Sequence, residues 1–209
     1  MSWSRILLGW LRFSWPLLLV LLVLWFAFGG DEAAVEAFFR AHREANSGLA
    51  AVMRGITDWS NPPFYAVYAW LLWRGWREKR PDLTRLALAY VAVQLVVSLL
   101  AVRGLKMLIG RPRPDAGPFF EPMTTDPGHH SLPSGHTTEI TGATLPLALR
   151  SAGRLIPPAL ALLTALTGFS RVYLGWHHPS DVFFGWLLGS VAGLAIHLLA
   201  TKDEHAGLS

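Results

Sequence analysis

Apolar residues run along this chain in long blocks, and the charged residues gather between the blocks instead of alternating with them. A helix needs roughly 20 mainly apolar residues to cross the hydrocarbon of a bilayer, and six stretches are candidates. They lie between Arg12 and Asp31, from about Trp59 to Trp73, from Leu86 to Val102, from about Thr137 to Leu149, from Leu155 to about Gly168, and from Val182 to Ala200. The second opens on Asn61-Pro62-Pro63, a helix-compatible start. The fourth is the weakest, with Glu139 near one end, and is included because its flanks require a return crossing. Ala27 and Gly29 imitate a small-x-small cleavage site, but the first run is read as a retained span. Between the first two spans, Val35, Phe38, Phe39 and His42, then Leu49, Val52, Met53 and Ile56, recur at helical spacing. Residues 31–57 are therefore expected to form amphipathic helices on the outer face, broken near Asn46 to Gly48. The pattern predicts an all-α polytopic membrane protein of six transmembrane helices, a single domain over residues 1–209.

Composition narrows this further. The 209 residues are 52% hydrophobic and 15% charged, against about 25% charged in soluble domains. Neither an ordinary soluble domain nor a disordered chain fits. With no cysteine, a disulfide framework, a thiolate metal site and a cysteine nucleophile are excluded. The net charge of +4 would suit nucleic acid in a polar protein, but here the basic residues sit between apolar runs, so membrane lipid is the expected partner and nucleic acid is not. Arg5 and Arg12 precede the first span; Arg74, Arg77, Lys79, Arg80 and Arg85 follow the second; Arg150 and Arg154 follow the fourth. The positive-inside rule puts these turns and both termini in the cytoplasm, in a multi-pass protein of the cell membrane. Trp70, Trp73 and Trp76 are expected as interfacial anchors.

One group of cations breaks that rule. Arg103, Lys106, Arg111 and Arg113 follow the third span, on the side where basic residues are disfavoured. A forked guanidinium and a mobile ammonium suit a phosphate dianion. Pro133-Ser134-Gly135-His136 precedes the fourth span, where Ser134 can cap a helix and the small Gly135 exposes backbone N–H groups to an anion. Before the sixth span stand Ser170, Arg171, His177, His178 and Asp181, a cation followed by an imidazole–carboxylate pair. Spacing leaves His177 and His178 both open as that imidazole. An even number of crossings separates the three segments, so all are expected at one outer face. The histidines and Asp181, with His129 and His130, are also conceivable metal ligands. That reading leaves Lys106, Arg113 and Arg171 unexplained, and no metal or other cofactor is expected. A non-catalytic anionic-lipid binder or transporter would use the cations but not His136 and His177 together.

These segments resemble the signature of the type-2 phosphatidic acid phosphatase superfamily, integral-membrane bacterial branch: Lys-x6-Arg-Pro at Lys106, Arg113 and Pro114; Pro-Ser-Gly-His at 133–136; Ser-Arg-x5-His-x3-Asp at Ser170, Arg171, His177 and Asp181. The resemblance puts His177, not His178, in the nucleophile position. It implies a metal-independent lipid phosphatase in which His177 attacks phosphorus, Asp181 orients it and His136 serves as acid and base. Lys106, Arg113, Arg171, Ser134 and Gly135 would hold the phosphate. Polyprenyl diphosphate, phosphatidate and phosphatidylglycerol phosphate lead the candidate substrates; a lipid A phosphatase or a lipid-to-lipid phosphotransferase would use the same site. Arg111 is a candidate for the periphery of the site with its role left open, and residues 115–132 are read as a lid or an ordinary loop.

Overall fold

The computed structural model describes residues 2–201, and the carboxy-terminal residues 202–209, part of the cytoplasmic assignment, lie outside them. Helices α1 (Trp3–Ala27), α2 (Glu32–Ala45), α3 (Ser47–Trp59), α4 (Pro62–Arg77) and α5 (Pro81–Gln94) follow in order. A π-helical stretch, Leu95–Ala101, joins α5 to α6 (Val102–Ile109), and α7 (Gly135–Arg150), α8 (Ile156–Tyr173) and α9 (Pro179–Thr201) complete the bundle. No strand occurs among the described residues. Three helical stretches are long and apolar enough to cross a membrane by themselves: Trp3–Ala27, Pro81–Ile109 and Pro179–Thr201. The other three expected spans correspond to α4, α7 and α8.

The helices extend past the apolar runs that announced them. Helix α1 takes in Arg5 and Arg12, and α4 continues beyond Trp73 through Arg74 to Arg77. Long basic side chains reach away from an apolar surface while their stems cover it, so charge at a helix end does not stop the helix. Arg74 and Arg77 lie over the rings of Trp70 and Trp73, 4.9 and 5.2 Å from their centroids. Arg and Trp thus share one end of α4, as an interfacial belt requires.

Polarity is distributed inside out. Leu7, Leu8, Leu11, Trp15, Leu19 and Leu22 of α1 are exposed, whereas Thr137, Thr138, Thr141, Thr144, Thr164 and Thr167 are buried. Buried hydroxyls find partners within the bundle: Thr144 donates to the Ile140 carbonyl and meets Thr164 Oγ1 at 3.0 Å. Helix α7 occupies the centre, packed against α1, α5, α8 and α9. Its closest partner is α9, where Gly185, Gly189 and Gly193 remove the side chains that would separate the two backbones. A Cβ on Gly189 would stand 2.5 Å from the Thr138 carbonyl oxygen. Small residues at this spacing let membrane helices approach at backbone distance.

Residues 31–57 form two helices that meet at Asn46. Val35 and Phe39 of α2 are buried in the cluster that includes Leu17, Tyr173 and Trp186, so this segment is bound into the bundle and does not merely lie on it. The loop from Asp115 to Leu132 folds back on Gly110, whose carbonyl accepts from Glu121 N at 2.8 Å. Its tip leaves Phe119, Phe120 and Met123 exposed.

Candidate active site

Three chain segments meet at the end of the bundle where α6 stops and α7 and α9 begin. Backbone bonds tie them together: Ser134 N donates to the Asp181 carbonyl at 2.9 Å and Ser131 N to the Arg111 carbonyl at 3.1 Å. His177 lies in the turn between α8 and α9, where its N–H and that of Trp176 both donate to the Arg171 carbonyl. Gly175, with φ +68°, makes the reversal.

Asp181 is fully buried in the first turn of α9. Its Oδ1 accepts from Arg111 Nη1 at 2.7 Å, and its Oδ2 accepts from Ser131 Oγ at 2.5 Å and from the His178 N–H at 2.8 Å. His177 Nδ1 stands 3.5 Å from the same Oδ2, beyond ordinary hydrogen-bonding distance, and is buried with no other partner. Burial pushes the imidazole down to about 3, against the pull of Asp181, so the ring is neutral and its Nε2 is available as a nucleophile. His178 turns elsewhere, its Nε2 lying 3.3 Å from the Pro112 carbonyl oxygen.

The expected cations converge. Lys106 Nζ lies 4.0 Å from where a Cβ on Gly135 would be, over the amino terminus of α7. Lys106 lies close enough to Arg113 and Arg171 to feel both charges, Arg171 feels that of Arg113, and His136 feels all three. Arg171 is buried; its Nη1 donates to Thr57 Oγ1 at 3.0 Å, and its guanidinium lies over Trp176, 4.4 Å from the ring centroid. Its Nε is buried without a partner. Arg113 Nε donates to the Pro127 carbonyl at 3.2 Å. Among the described residues none of these three cations forms an ion pair with a carboxylate, whereas Arg111 forms two. Unneutralised cations gathered around backbone N–H groups at a helix start form an anion site.

Ser134 differs from its expected role. It occupies the N-cap position of α7, but its hydroxyl makes no cap bond to the backbone; it accepts from Thr137 Oγ1 at 3.0 Å. The first backbone N–H groups of α7 are therefore left to whatever anion sits there. His136 is in this first turn, its carbonyl facing Asn61 Nδ2 at 3.4 Å.

Helix α2 braces the His177 turn from both sides. Arg43 Nη1 donates to the Tyr173 carbonyl at 2.6 Å while Arg43 Nη2 pairs with Glu36 at 2.8 Å, and both side chains crowd against Gly175. At the other end, Glu32 accepts from Ser180 N at 2.8 Å and from Arg111 Nη2 at 2.5 Å. Glu32, Glu36, Arg43, Thr57 and Ser131 were not assigned to the site by the sequence, and Arg111, left there with an open role, is the residue that pairs with Asp181. The available signal was charge: residues 31–58 carry more acidic than basic residues, a complement to the outer cations.

The residues considered as metal ligands do not collect. Among the described residues, ligand atoms of Glu121, Asp126 and His129 come within 4.8 Å of one another, in the loop and apart from His136, His177 and Asp181.

Comparison with known proteins agrees with this geometry. The family model described as PAP2 superfamily matches residues 82–204, which takes in Lys106, His136, His177 and Asp181. The chain belongs to the PAP2 superfamily. It is 36% identical over 130 residues to a decaprenylphosphoryl-5-phosphoribose phosphatase of Mycobacterium tuberculosis, covering 62% of this chain and 67% of that protein. It is 26% identical over 148 residues to the Bacillus subtilis undecaprenyl-diphosphatase BcrC, covering 71% and 73%. A Rhizobium etli lipid A 1-phosphatase is 36% identical over 109 residues, covering 48% and 45%. No solved structure shows a significant match. As a PAP2 superfamily member the chain contributes α1 to α4 from outside the matched region, and with them Glu32, Glu36, Arg43 and Thr57, which contact the motif segments directly.

Proposed function

We propose that this chain is a membrane lipid phosphatase that releases phosphate from a lipid phosphate or diphosphate through a phosphohistidine. The observation that carries the reading is Arg171, a buried guanidinium with an unsatisfied Nε beside Lys106 and Arg113, in a site that also holds a neutral imidazole on a carboxylate. His177 Nε2 attacks phosphorus as the bond to the lipid oxygen breaks, and His136 gives a proton to that oxygen. His136 then takes a proton from water, whose oxygen attacks phosphorus and frees His177 with release of phosphate. Asp181 stabilises the charge on the imidazole. Lys106, Arg113, Arg171, the Ser134 hydroxyl and the backbone N–H of Gly135 hold the oxygens as charge develops. With three cations doing this, no metal is required.

The reading includes six crossings, which is supported by α4, α7 and α8 running beside the three long apolar helices, with α7 tolerating its threonines because it is enclosed. The basic ends of α4 and α7, with Arg74, Arg77 and Arg150, lie at the end away from the motif segments. On the positive-inside rule that end is cytoplasmic and the active site is periplasmic or extracellular. The decisive experiment supplies purified protein in detergent with polyprenyl diphosphate, phosphatidate, phosphatidylglycerol phosphate and a lipid A phosphate, and measures released phosphate. Quenching in alkaline detergent during turnover of substrate radiolabelled in the scissile phosphate traps base-stable, acid-labile label on wild type and none on His177→Ala. Turnover by His177→Ala would discard the nucleophile.

A further inference from the structure

At the end of the bundle away from the motif segments, α1 and the turn between α7 and α8 enclose a cavity of about 600 Å³ lined by Arg5, Arg12 and Arg154 together with Leu8, Trp15 and Leu149. Helix α8 begins at this cavity and carries Arg171 in its last turn, so roughly 20 Å of helix separates the cavity from the phosphate site. Arg5, Leu8, Gly9, Arg12 and Trp15 share one face of α1, because residues three, four and seven apart stand above one another. Gly9 brings α7 against this face: Leu149 occupies the space a side chain would take, 2.6 Å from where a Cβ would stand. Among the described residues no carboxylate lines the cavity. Glu78 and Asp82, between α4 and α5, are already held by Arg74 and Arg80. Arg5 has Ser2 Oγ 3.4 Å from its Nε, and Arg12 and Arg154 form no hydrogen bond or ion pair with any described residue.

Arg12 is the informative member. It stands two turns further along α1 than Arg5, about 10 Å deeper, among exposed Leu8, Leu11 and Trp15. An ionisable side chain at that depth of an apolar helix is costly and calls for a partner. Pro157 and Pro158 lack backbone N–H groups in the first turn of α8, so the start of that helix offers few donors to an anion and the three guanidiniums carry the site. Their forked geometry suits a phosphate, and the apolar wall between them suits a hydrocarbon chain. We propose that the cavity binds an anionic phospholipid of the leaflet that this end of the bundle meets, its phosphate among Arg5, Arg12 and Arg154 and an acyl chain along Leu8, Leu149 and Trp15. Basic pockets between membrane helices hold phospholipid head groups in this manner. Charge selects the class, because three cations without a carboxylate repel the amine of a zwitterionic head group and hold a net negative one. The bound lipid is a resident and not a substrate, since it lies at the other end of the bundle from His177. It joins α1 to the α7–α8 turn where the two meet at Gly9.

Lipid titration of the purified protein in detergent tests this, with bound lipid counted by native mass spectrometry. Dioleoyl phosphatidylglycerol should bind about tenfold more tightly than dioleoyl phosphatidylcholine, and an excess of inorganic phosphate should not displace it. Arg12→Gln and Arg154→Gln should each weaken phosphatidylglycerol about tenfold, the loss of one charge-assisted contact. Arg77→Gln, which removes a cation at the same end of the bundle but outside the cavity, should leave the affinity within about twofold of wild type. Both cavity arginines are exposed, so these variants should unfold in lipid-free detergent at the temperature of wild type. Equal binding of the two lipids would overturn the assignment, leaving a crevice that any lipid fills. Displacement by inorganic phosphate would overturn it in favour of a free-anion site. An equal loss in Arg77→Gln, or no loss in Arg12→Gln and Arg154→Gln, would overturn the location.

Discussion

Arg111 and Asp181 form a 2.7 Å ion pair in which the carboxylate is fully buried, and the same guanidinium reaches back to Glu32 on α2. Arg111 thereby ties the Lys106–Pro114 segment, the amphipathic region and the base of the His177 turn into one unit. Removing one partner of a buried pair strands the other charge, at a cost of about 3–5 kcal/mol. Arg111→Ala should therefore lower thermal stability in detergent and reduce kcat more than it raises KM, because Arg111 acts through Asp181. Arg111→Lys should restore part of both. An unchanged kcat in Arg111→Ala would show that the pair is only structural.

The pH dependence of stability has a definite sign. His177 is held neutral down to about 3 in the folded chain by burial, whereas an unfolded histidine takes up its proton near 6.5. Below about pH 6.5 the unfolded state binds a proton that the native state refuses, so stability falls with pH across the window from about 6.5 to about 3. At pH 5 the loss from this one group is on the order of 2 kcal/mol. His177→Gln should show a smaller fall in Tm between pH 7 and pH 5 than wild type. An identical fall in both would place the linkage elsewhere.

Cations of the site and cations of the surface should separate cleanly. Arg171→Lys loses the forked geometry and the stack on Trp176 and should lower kcat/KM by about 100-fold. Arg103, exposed on α6, should tolerate alanine with activity within about twofold of wild type. Phosphate release assays on both variants check this.

Activity should survive chelation and fail in vanadate. The cations already placed around the phosphate supply the neutralisation that a metal would otherwise provide. Phosphate release in the presence of EDTA should equal that in its absence. Loss of activity on chelation, restored by a divalent ion, would reverse this expectation.

The α7–α9 contact makes a paired prediction about glycine. Alanine in a helix is ordinarily better than glycine by about 1 kcal/mol, and Gly55, with nothing within 4 Å of where a Cβ would stand, should gain by that amount. Gly189→Ala instead drives a methyl to 2.5 Å from the Thr138 carbonyl oxygen, and a backbone atom cannot step aside. Overpacking should outweigh the propensity gain and cost about 1–3 kcal/mol. Thermal unfolding of the two variants in one detergent gives the comparison.

What the sequence disclosed and withheld follows from range. Apolar runs located α1, α4, α5 with α6, α7, α8 and α9, because a face turned to hydrocarbon carries little charge, whereas α2 and α3 were read from amphipathic spacing. The runs missed the helix ends, where Arg5 and Arg77 remain helical while reaching outward. The fourth run looks weak when its polarity is set against lipid, but Thr137, Thr141 and Thr144 face neighbouring helices. The motif residues Lys106, Arg113, His136, Arg171, His177 and Asp181 were legible, and the structure gathers them. Their supports were not: Glu32 meets Arg111 from 79 residues away, and no local pattern announces such a pair. The Gly185, Gly189 and Gly193 spacing was present in the sequence, but its meaning depends on which helix lies opposite.

That glycine contact reaches beyond stability. Helix α7 carries His136 at its start, and α9 begins just after His177, so the two imidazoles ride on helices whose backbones touch. Their separation is set by main-chain contact and not by a layer of adjustable side chains. On the mechanism proposed above, a proton donor and a nucleophile acting on one phosphorus are thus held in advance at a fixed gauge.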